Sequence, residues 1–466
     1  MAERNLGVSR RRRGAALVAA TAVTVALLAA PTRAAAEPTE QAGHLVLVGG
    51  ALNENQRILS RFVELADPDE NGPETAHIAI VTAASYPAQD EEEAADPEQD
   101  NATANGHYYA DLFEDLGATT VRVPIDEAVN YAGDPYIPAN ADDPRIAQAV
   151  HESTGVWFGG GDQMRYIRTL FDCEPADREA FTDCTDTVVM AAVRAVLDAG
   201  GVVGGTSAGL TVQQGAAMVT GGEPYEGWRD GARPGYFEGR QLGYVPYGGF
   251  GFFGWGMLDS HFATWGRQAR MIRLAMDERV GFDHVVGLDE TTALVIDRAA
   301  GTGRVIGRNG ASLLDVTDAV LEHRRVEDVR WSYLTRGDRL DLSTWKVTRA
   351  KSAEDVAETG PAPPLWDDIW DTIEDDHTYS MRDLGVALVS STARKGKGVT
   401  YEDDPRFKTI LVSDRHAEAW TTSKGDVSFD QVELRIKKCC GDEPPDSTDH
   451  EPEEGPIERA RGRSAR

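Results

Sequence analysis

From residue 44 onward, short apolar runs alternate with stretches whose apolar positions recur at helical spacing. HLVLVGG (44–50), HIAIVTAAS (77–85), TTVRVPI (119–125), TGVWFGGGD (154–162) and GGVVGG (200–205) read as buried strands. Gln56–Ala66, Tyr108–Leu116, Arg145–Glu152 and Thr187–Asp198 are the helices predicted between them. Strict alternation of this kind predicts an α/β fold with a mostly parallel sheet flanked by helices on both faces. In such sheets ligands sit at the carboxyl ends of the strands, so the glycine-rich strand exits are the places to seek chemistry. After about residue 286 the pattern changes. HVVGLDETTALVID (284–297) and GRVIGRNGASLLD (303–315) read as β-hairpin material, with a turn at Arg308-Asn309-Gly310. A Pro-rich joint, TGPAPPLW (359–366), lies near the start of a β-containing C-terminal extension, residues 348–440. The acidic loop 89–100 reads as solvated, and residues 441–466 as a disordered tail.

Charge narrows the function classes. The 466 residues carry 47 Lys and Arg against 77 Asp and Glu, a formal net charge of -30. A chain this acidic repels phosphate backbones, which excludes nucleic acid as a partner and disfavours an anionic membrane surface. Residues 1–36 run against the trend: four arginines (Arg10 to Arg13), an apolar stretch from Ala15 to Ala30, then Ala34 to Ala36. That is the order of a secretory signal, with Glu37 as the first mature residue, and Ser9-Arg10-Arg11 allows a twin-arginine variant. Export makes a short-loop disulfide between Cys173 and Cys184 the expected use of those two cysteines, since no histidine accompanies them as a metal ligand. Adjacent Cys439 and Cys440 have no pairing deducible from sequence.

Gly205-Thr206-Ser207-Ala208-Gly209 is the G-x-S-x-G of the chain. A strand runs straight into it and Leu210–Ala217 can begin a helix, the context in which flanking glycines let a sharp turn expose a serine hydroxyl as a nucleophile. Among ten histidines, His261 in LDSHFATWGRQARMIRL stands at a strand exit and is the expected base. His284 is its main rival. Glu290 interrupts an apolar run beside Asp289, where a carboxylate needs a reason to sit, and is the expected orienter of the imidazole, with Asp259 as runner-up. The amide of Ala208 and the Gly159-Gly160-Gly161 turn, through Gly161, would form the oxyanion hole. GFGFFG (249–254) follows no suitable strand and opens no helix, so it is no dinucleotide fingerprint. No Walker loop and no H-E-x-x-H occurs, and neither a metal nor an organic cofactor is expected.

GGGDQ (159–163), GGTSAG (204–209), DSHF (259–262) followed by Arg267 and Arg270, GLDETTAL (287–294) and a closing YLTRGDRLDL (333–342) occur in this order. Over residues 43–345 the chain thereby resembles the cyanophycinases of the S51 serine peptidase family. The resemblance implies a class I glutamine-amidotransferase-like fold over a catalytic domain at 37–347. It also implies a Ser207–His261–Glu290 triad, and a substrate pocket that includes Gln163, Asp259, Arg267 and Arg270. The implied substrate is cyanophycin, a polyaspartate bearing arginine side groups, released as β-Asp-Arg dipeptides. Two positions depart from the family pattern: Trp265 stands where an Arg is usual and Asp162 where an Asn is. The partner expected is therefore a polypeptide of aspartyl or arginyl type, with no membrane after leader removal and a homodimer left open. Alternatives are another aspartyl or isoaspartyl peptide as substrate, an esterase whose histidine lies late (His323, His377 or His416), or a non-catalytic peptide-binding protein.

Overall fold

The computed structural model describes residues 42–68, 72–371, 379–422 and 424–439. The leader read at 1–36 and the tail read at 441–466 lie outside the described residues, as do His377, Cys440 and His450.

A nine-stranded sheet forms the frame. Five of its strands are parallel: β1 (His44–Val48), β2 (His77–Val81), β3 (Thr119–Val123), β4 (Gly155–Phe158) and β5 (Val202–Thr206), in the spatial order β1-β5-β4-β2-β3. The apolar runs of the inner strands have a simple cause, because alternate side chains point to opposite faces and both faces are covered; the edge strand β3 leaves Thr119 and Arg122 exposed. Leu45 and Leu47 join one core with Ala79 and Val81. Val46 and Val48 join the other with Ile78 and Ile80. Helix α1 (Gln56–Ala66) closes the second face through Ile58, Leu59, Phe62, Val63 and Ala66. Helix α2 (Val188–Asp198), capped by the Thr187 hydroxyl on the Met190 amide, closes the first. Phe62 sits edge-on to Trp157 with ring centroids 5.1 Å apart, and 5.3 Å from Phe113. A Cβ at Gly204 would come within 2.6 Å of the Phe62 ring, so that glycine is there to admit the aromatic cluster.

Past β5 the chain adds a second sheet of ten strands. Helices α3 (Pro224–Asp230) and α4 (Gln268–Ala275) bury Tyr225, Trp228 and Met271 in the core that this sheet shares. In it β6 (Met257–Asp259) runs parallel to β7 (His284–Leu288). The first sheet, meanwhile, takes β8 (Thr292–Asp297) antiparallel on β1 and β9 (Thr302–Gly307) on β8. Next to β7 in the second sheet come β10 (Ala311–Asp315), β11 (Arg325–Leu334) and β12 (Val427–Lys438), all antiparallel. β12 belongs to the C-terminal extension, which thus completes a sheet begun by residues 257–334 and adds the helix Ser380–Val389 on it.

The hairpins read at 284–297 and across Arg308-Asn309-Gly310 are not hairpins. β7 and β10 pair in the second sheet while β8 and β9 pair in the first, so the chain crosses between sheets at 289–291 and again at 308–310. Turn residues mark where a strand stops; which strand it then pairs with depends on the faces left to bury. The helix expected over Leu210–Ala217 is a single turn, Ala208–Thr211. Beyond it the Gln214 side chain accepts from the Leu258 amide and donates to the Ala216 and Ala217 carbonyls, fixing an irregular path. The acidic loop holds a short helix, Glu91–Ala95, capped by Asp90. Cys173 and Cys184 are disulfide-bonded across a short antiparallel strand pair, and Cys439 is disulfide-bonded too.

Replacing Phe62 with Ala leaves a void between α1 and the sheet. It is expected to destabilise the protein by about 3–5 kcal/mol, read from chemical-denaturation curves against the unmodified chain; a loss below about 1 kcal/mol would mean that the aromatic cluster does not anchor the helix.

Candidate active site

Three adjacent parallel strands end together. Val48 of β1 is level with Thr206 of β5, and Gly205 with Phe158 of β4, so Gly49-Gly50, Ser207 and Gly159–Gly161 leave the sheet side by side. Ser207 has φ 55° and ψ -115°, a strained conformation. Its flanking glycines are sterically required. A Cβ at Gly205 would lie 2.4 Å from the Gly209 carbonyl oxygen, and one at Gly209 2.3 Å from that of Phe158. From the second sheet, parallel β6 and β7 are level at Asp259 and Gly287, which brings Ser260-His261 and Asp289-Glu290 out next to one another. The two sets are tied by backbone bonds, the His261 amide to the Gly49 carbonyl (2.6 Å) and the Thr291 amide to that of Gly50 (2.9 Å).

These exits place Ser207 Oγ 2.8 Å from His261 Nε2, and His261 Nδ1 2.8 Å from Glu290 Oε1. With a carboxylate at Nδ1, the neutral ring carries its proton there and Nε2 accepts from the serine hydroxyl. His261 itself has φ 47°, and a Cβ at Gly50 would overlap its ring at 2.3–2.7 Å. Trp265 stacks on the imidazole, centroids 4.6 Å apart and planes 16° from parallel, and the Arg267 guanidinium lies 4.5 Å from the centre of the same indole. Burial pushes the His261 pKa below its usual 6.5 and Arg267 lowers it further, against the upward pull of Glu290. The ring is therefore neutral at pH 7, the form that can accept a proton. The Glu290 carbonyl accepts from Asn309 Nδ2 (2.9 Å), so the second sheet crossing holds the first in place. Asp289 is buried; it accepts from the Ala263 amide and the Tyr333 hydroxyl, and burial raises its pKa to about 6.

Gly160 faces the serine, its Cβ position 3.6 Å from Ser207 Cβ. The Gly160 amide is directed to the buried Tyr109 hydroxyl oxygen, whereas the Gly161 amide donates to no protein backbone acceptor among the described residues. Ala208 opens a helical turn, where the first amides lack intrahelical partners. The arrangement offers backbone donors beside a serine hydroxyl that is bonded to a neutral imidazole.

The pocket residues read from the sequence divide sharply. Asp259 does not touch the imidazole: its buried carboxylate takes Arg267 Nη1 at 3.0 Å, Arg270 through Nε and Nη2, and the Ser260 amide. Arg270 spends Nη1 on the Gly221 and Gly222 carbonyls, so each of its three nitrogens is already engaged within the protein. The paired clamp expected of Arg267 and Arg270 is thus reduced to Arg267, whose Nε and Nη2 make no hydrogen bond to a described residue. Burial, with Arg270 adjacent, lowers the Arg267 pKa to about 10. Gln163 donates to the Val219 carbonyl. Asp162 caps the helix Gln163–Leu170 and accepts from the Tyr236 hydroxyl, which accounts for an acid at that position. His284 stacks on Trp345, and His323 and His416 are exposed, away from the serine's own partner. Among the described residues no group of three His, Cys, Asp or Glu could hold a metal ion. Gly50, Asp289 and Asn309 are not among the site residues expected from sequence; their visible signals are the Gly-Gly pair closing the first strand, the carboxylate pair interrupting an apolar run and the turn at 308–310.

Removing the indole in Trp265→Ala opens the imidazole to water. Because desolvation is the main cause of the depressed His261 pKa, that value is expected to rise toward 6.5, measured by titrating the ring carbons of labelled histidine by NMR. An unchanged value would show that the indole does not shield the ring.

No family model matches the chain. It is 27% identical over 319 residues to cyanophycinases of Synechococcus elongatus and Thermosynechococcus vestitus, an alignment covering 66% of this chain and 81% of each relative. A solved peptidase from an acI-B1 Actinobacterium is 18% identical with a TM-score of 0.41, covering 64% of this chain and 96% of that one. The cyanophycinase alignments, together with the α/β architecture, support the kind of enzyme: the chain is a cyanophycinase-like hydrolase of the serine-peptidase type.

Proposed function

We propose that the protein hydrolyses cyanophycin to β-Asp-Arg dipeptides through an acyl-enzyme on Ser207. The observation that carries this reading is the hydrogen-bonded chain Ser207–His261–Glu290 beside open backbone amides. Ser207 Oγ attacks the scissile carbonyl while His261 Nε2 takes its proton. Glu290 keeps the other ring nitrogen protonated and stabilises the imidazolium that forms. The developing oxyanion is held by the amides near Gly161 and by that of Ala208, each such donor contributing about 3 kcal/mol. His261 returns the proton to the leaving amine, and water, deprotonated by the same ring, releases the aspartyl product.

Arg267, with Nε and Nη2 unengaged, is the proposed anchor for an aspartyl carboxylate. Asp259 and Arg270 act through it as positioning residues. The acidic chain suits a substrate decorated with arginine. One observation favours a second reading: Trp265 covers the imidazole where the family pattern has Arg, which points to a different aspartyl or isoaspartyl peptide. Export is proposed from the leader at 1–36, and mass spectrometry of protein recovered from the culture medium should find Glu37 at the N-terminus; a chain retaining Met1 would overturn it.

Incubation with insoluble cyanophycin should release β-Asp-Arg, detected by mass spectrometry. Ser207→Ala is expected to lose about 10⁶-fold in rate and Glu290→Gln about 10⁴-fold. Absence of release, with Ser207 still labelled by a fluorophosphonate, would replace cyanophycin by the second reading. Absence of both would remove the nucleophile assignment.

A further inference from the structure

On the second sheet's side of the molecule lies an open cavity of about 870 Å³. Its wall is formed by the C-terminal end of α3, the segment after it, one face of α4, the turn entering β11 and the end of β12. Seven Arg or Lys line it against two carboxylates, in a chain whose net charge is -30. Such a concentration of one sign is opposite to the rest of the molecule and unfavourable unless something neutralises it.

The protein neutralises only part of it. Arg229 is bonded to Asp230 in bidentate fashion through Nε and Nη2. Arg233, Arg273, Arg324 and Lys438 form no side-chain hydrogen bond and no ion pair with a described residue, although they come from four separate segments of the chain. Burial lowers the Arg273 pKa, and Arg324 adds to this against the upward pull of Asp277 on the same helix end. Arg324 and Arg233 also help to hold Asp230 below the usual carboxylate range. The cavity is distinct from the serine site. Arg267, Arg270 and Arg273 follow one face along α4, spanning roughly 9 Å, and buried Arg270, tied to Asp259, stands between the other two.

We propose that this cavity is a binding site for a multivalent oxyanion, a ligand carrying several phosphate or carboxylate groups. Guanidinium groups converging from separate segments match such ligands in bidentate fashion. Arg270, engaged within the protein, separates this cavity from Arg267, so the site is not an extension of the proposed substrate groove.

The test is calorimetric titration of the full protein with tripolyphosphate and, separately, with citrate, at about 150 mM NaCl so that diffuse attraction is screened. Saturable binding of either probe is expected, and the tighter one identifies whether phosphate or carboxylate is the preferred chemistry. Arg324→Gln/Lys438→Gln, both exposed side chains, should weaken it about tenfold or more. Lys395→Gln/Lys397→Gln, with the same change in net charge on a strand outside the cavity, should leave it unchanged. Thermal melts without ligand establish that both variants are folded. No binding of either probe, or equal losses in the two variants, would overturn the site.

Discussion

Everything in the candidate site depends on how closely two sheets approach at Gly49 and Gly50. A side chain at Gly49 would lie 2.2 Å from the Asp289 carbonyl oxygen, and one at Gly50 would occupy the His261 ring. Because neither exists, β1 can exchange backbone hydrogen bonds with His261 and Thr291, and the exits of both sheets register to within one residue. The serine comes from one sheet, the histidine and glutamate from the other, and this seam joins them through backbone hydrogen bonds. The energetic cost appears in the backbone: Ser207, His261 and Thr291 all have positive φ, each a cost of about 1–3 kcal/mol that surrounding bonds must offset.

Around that seam the charged groups serve position before chemistry. Asp289 holds the Ala263 amide, Asn309 holds the Glu290 carbonyl, and Asp259 gathers two arginines below the imidazole. A buried carboxylate between two guanidiniums is stable only when its oxygens and their donors are matched, and here they are, to the point that each nitrogen of Arg270 is engaged within the protein. Trp265 lays a flat apolar ring against the imidazole while remaining 36% exposed itself.

Much of this was legible in the chain. The inner parallel strands and α1 follow from apolar runs and helical spacing, since burial on both faces leaves an inner strand little room for polar positions. The G-x-S-x-G exit and the conspicuous Glu290 follow from the rarity of a sharp turn or a carboxylate in such surroundings. What resisted reading has physical reasons as well. The apparent hairpin at 284–297 has hairpin residues, but its two strands bury their faces in different sheets. The helix after Ser207 stops after one turn because Gln214 gives the backbone a better partner than the next helical bond.

The sequence by itself determined the kind of elements, the elbow and the residue types able to carry acyl transfer, because these rest on periodicity and on conformations that only certain residues adopt. Tertiary structure decided which groups are spent and which are free. Arg267 and Arg270 are equivalent along a helix, yet one keeps two donor nitrogens open and the other has none, because Asp259 and two carbonyls from a distant loop converge on it. Hydrogen-bond saturation is a property of what surrounds a side chain in space, and no local pattern encodes it.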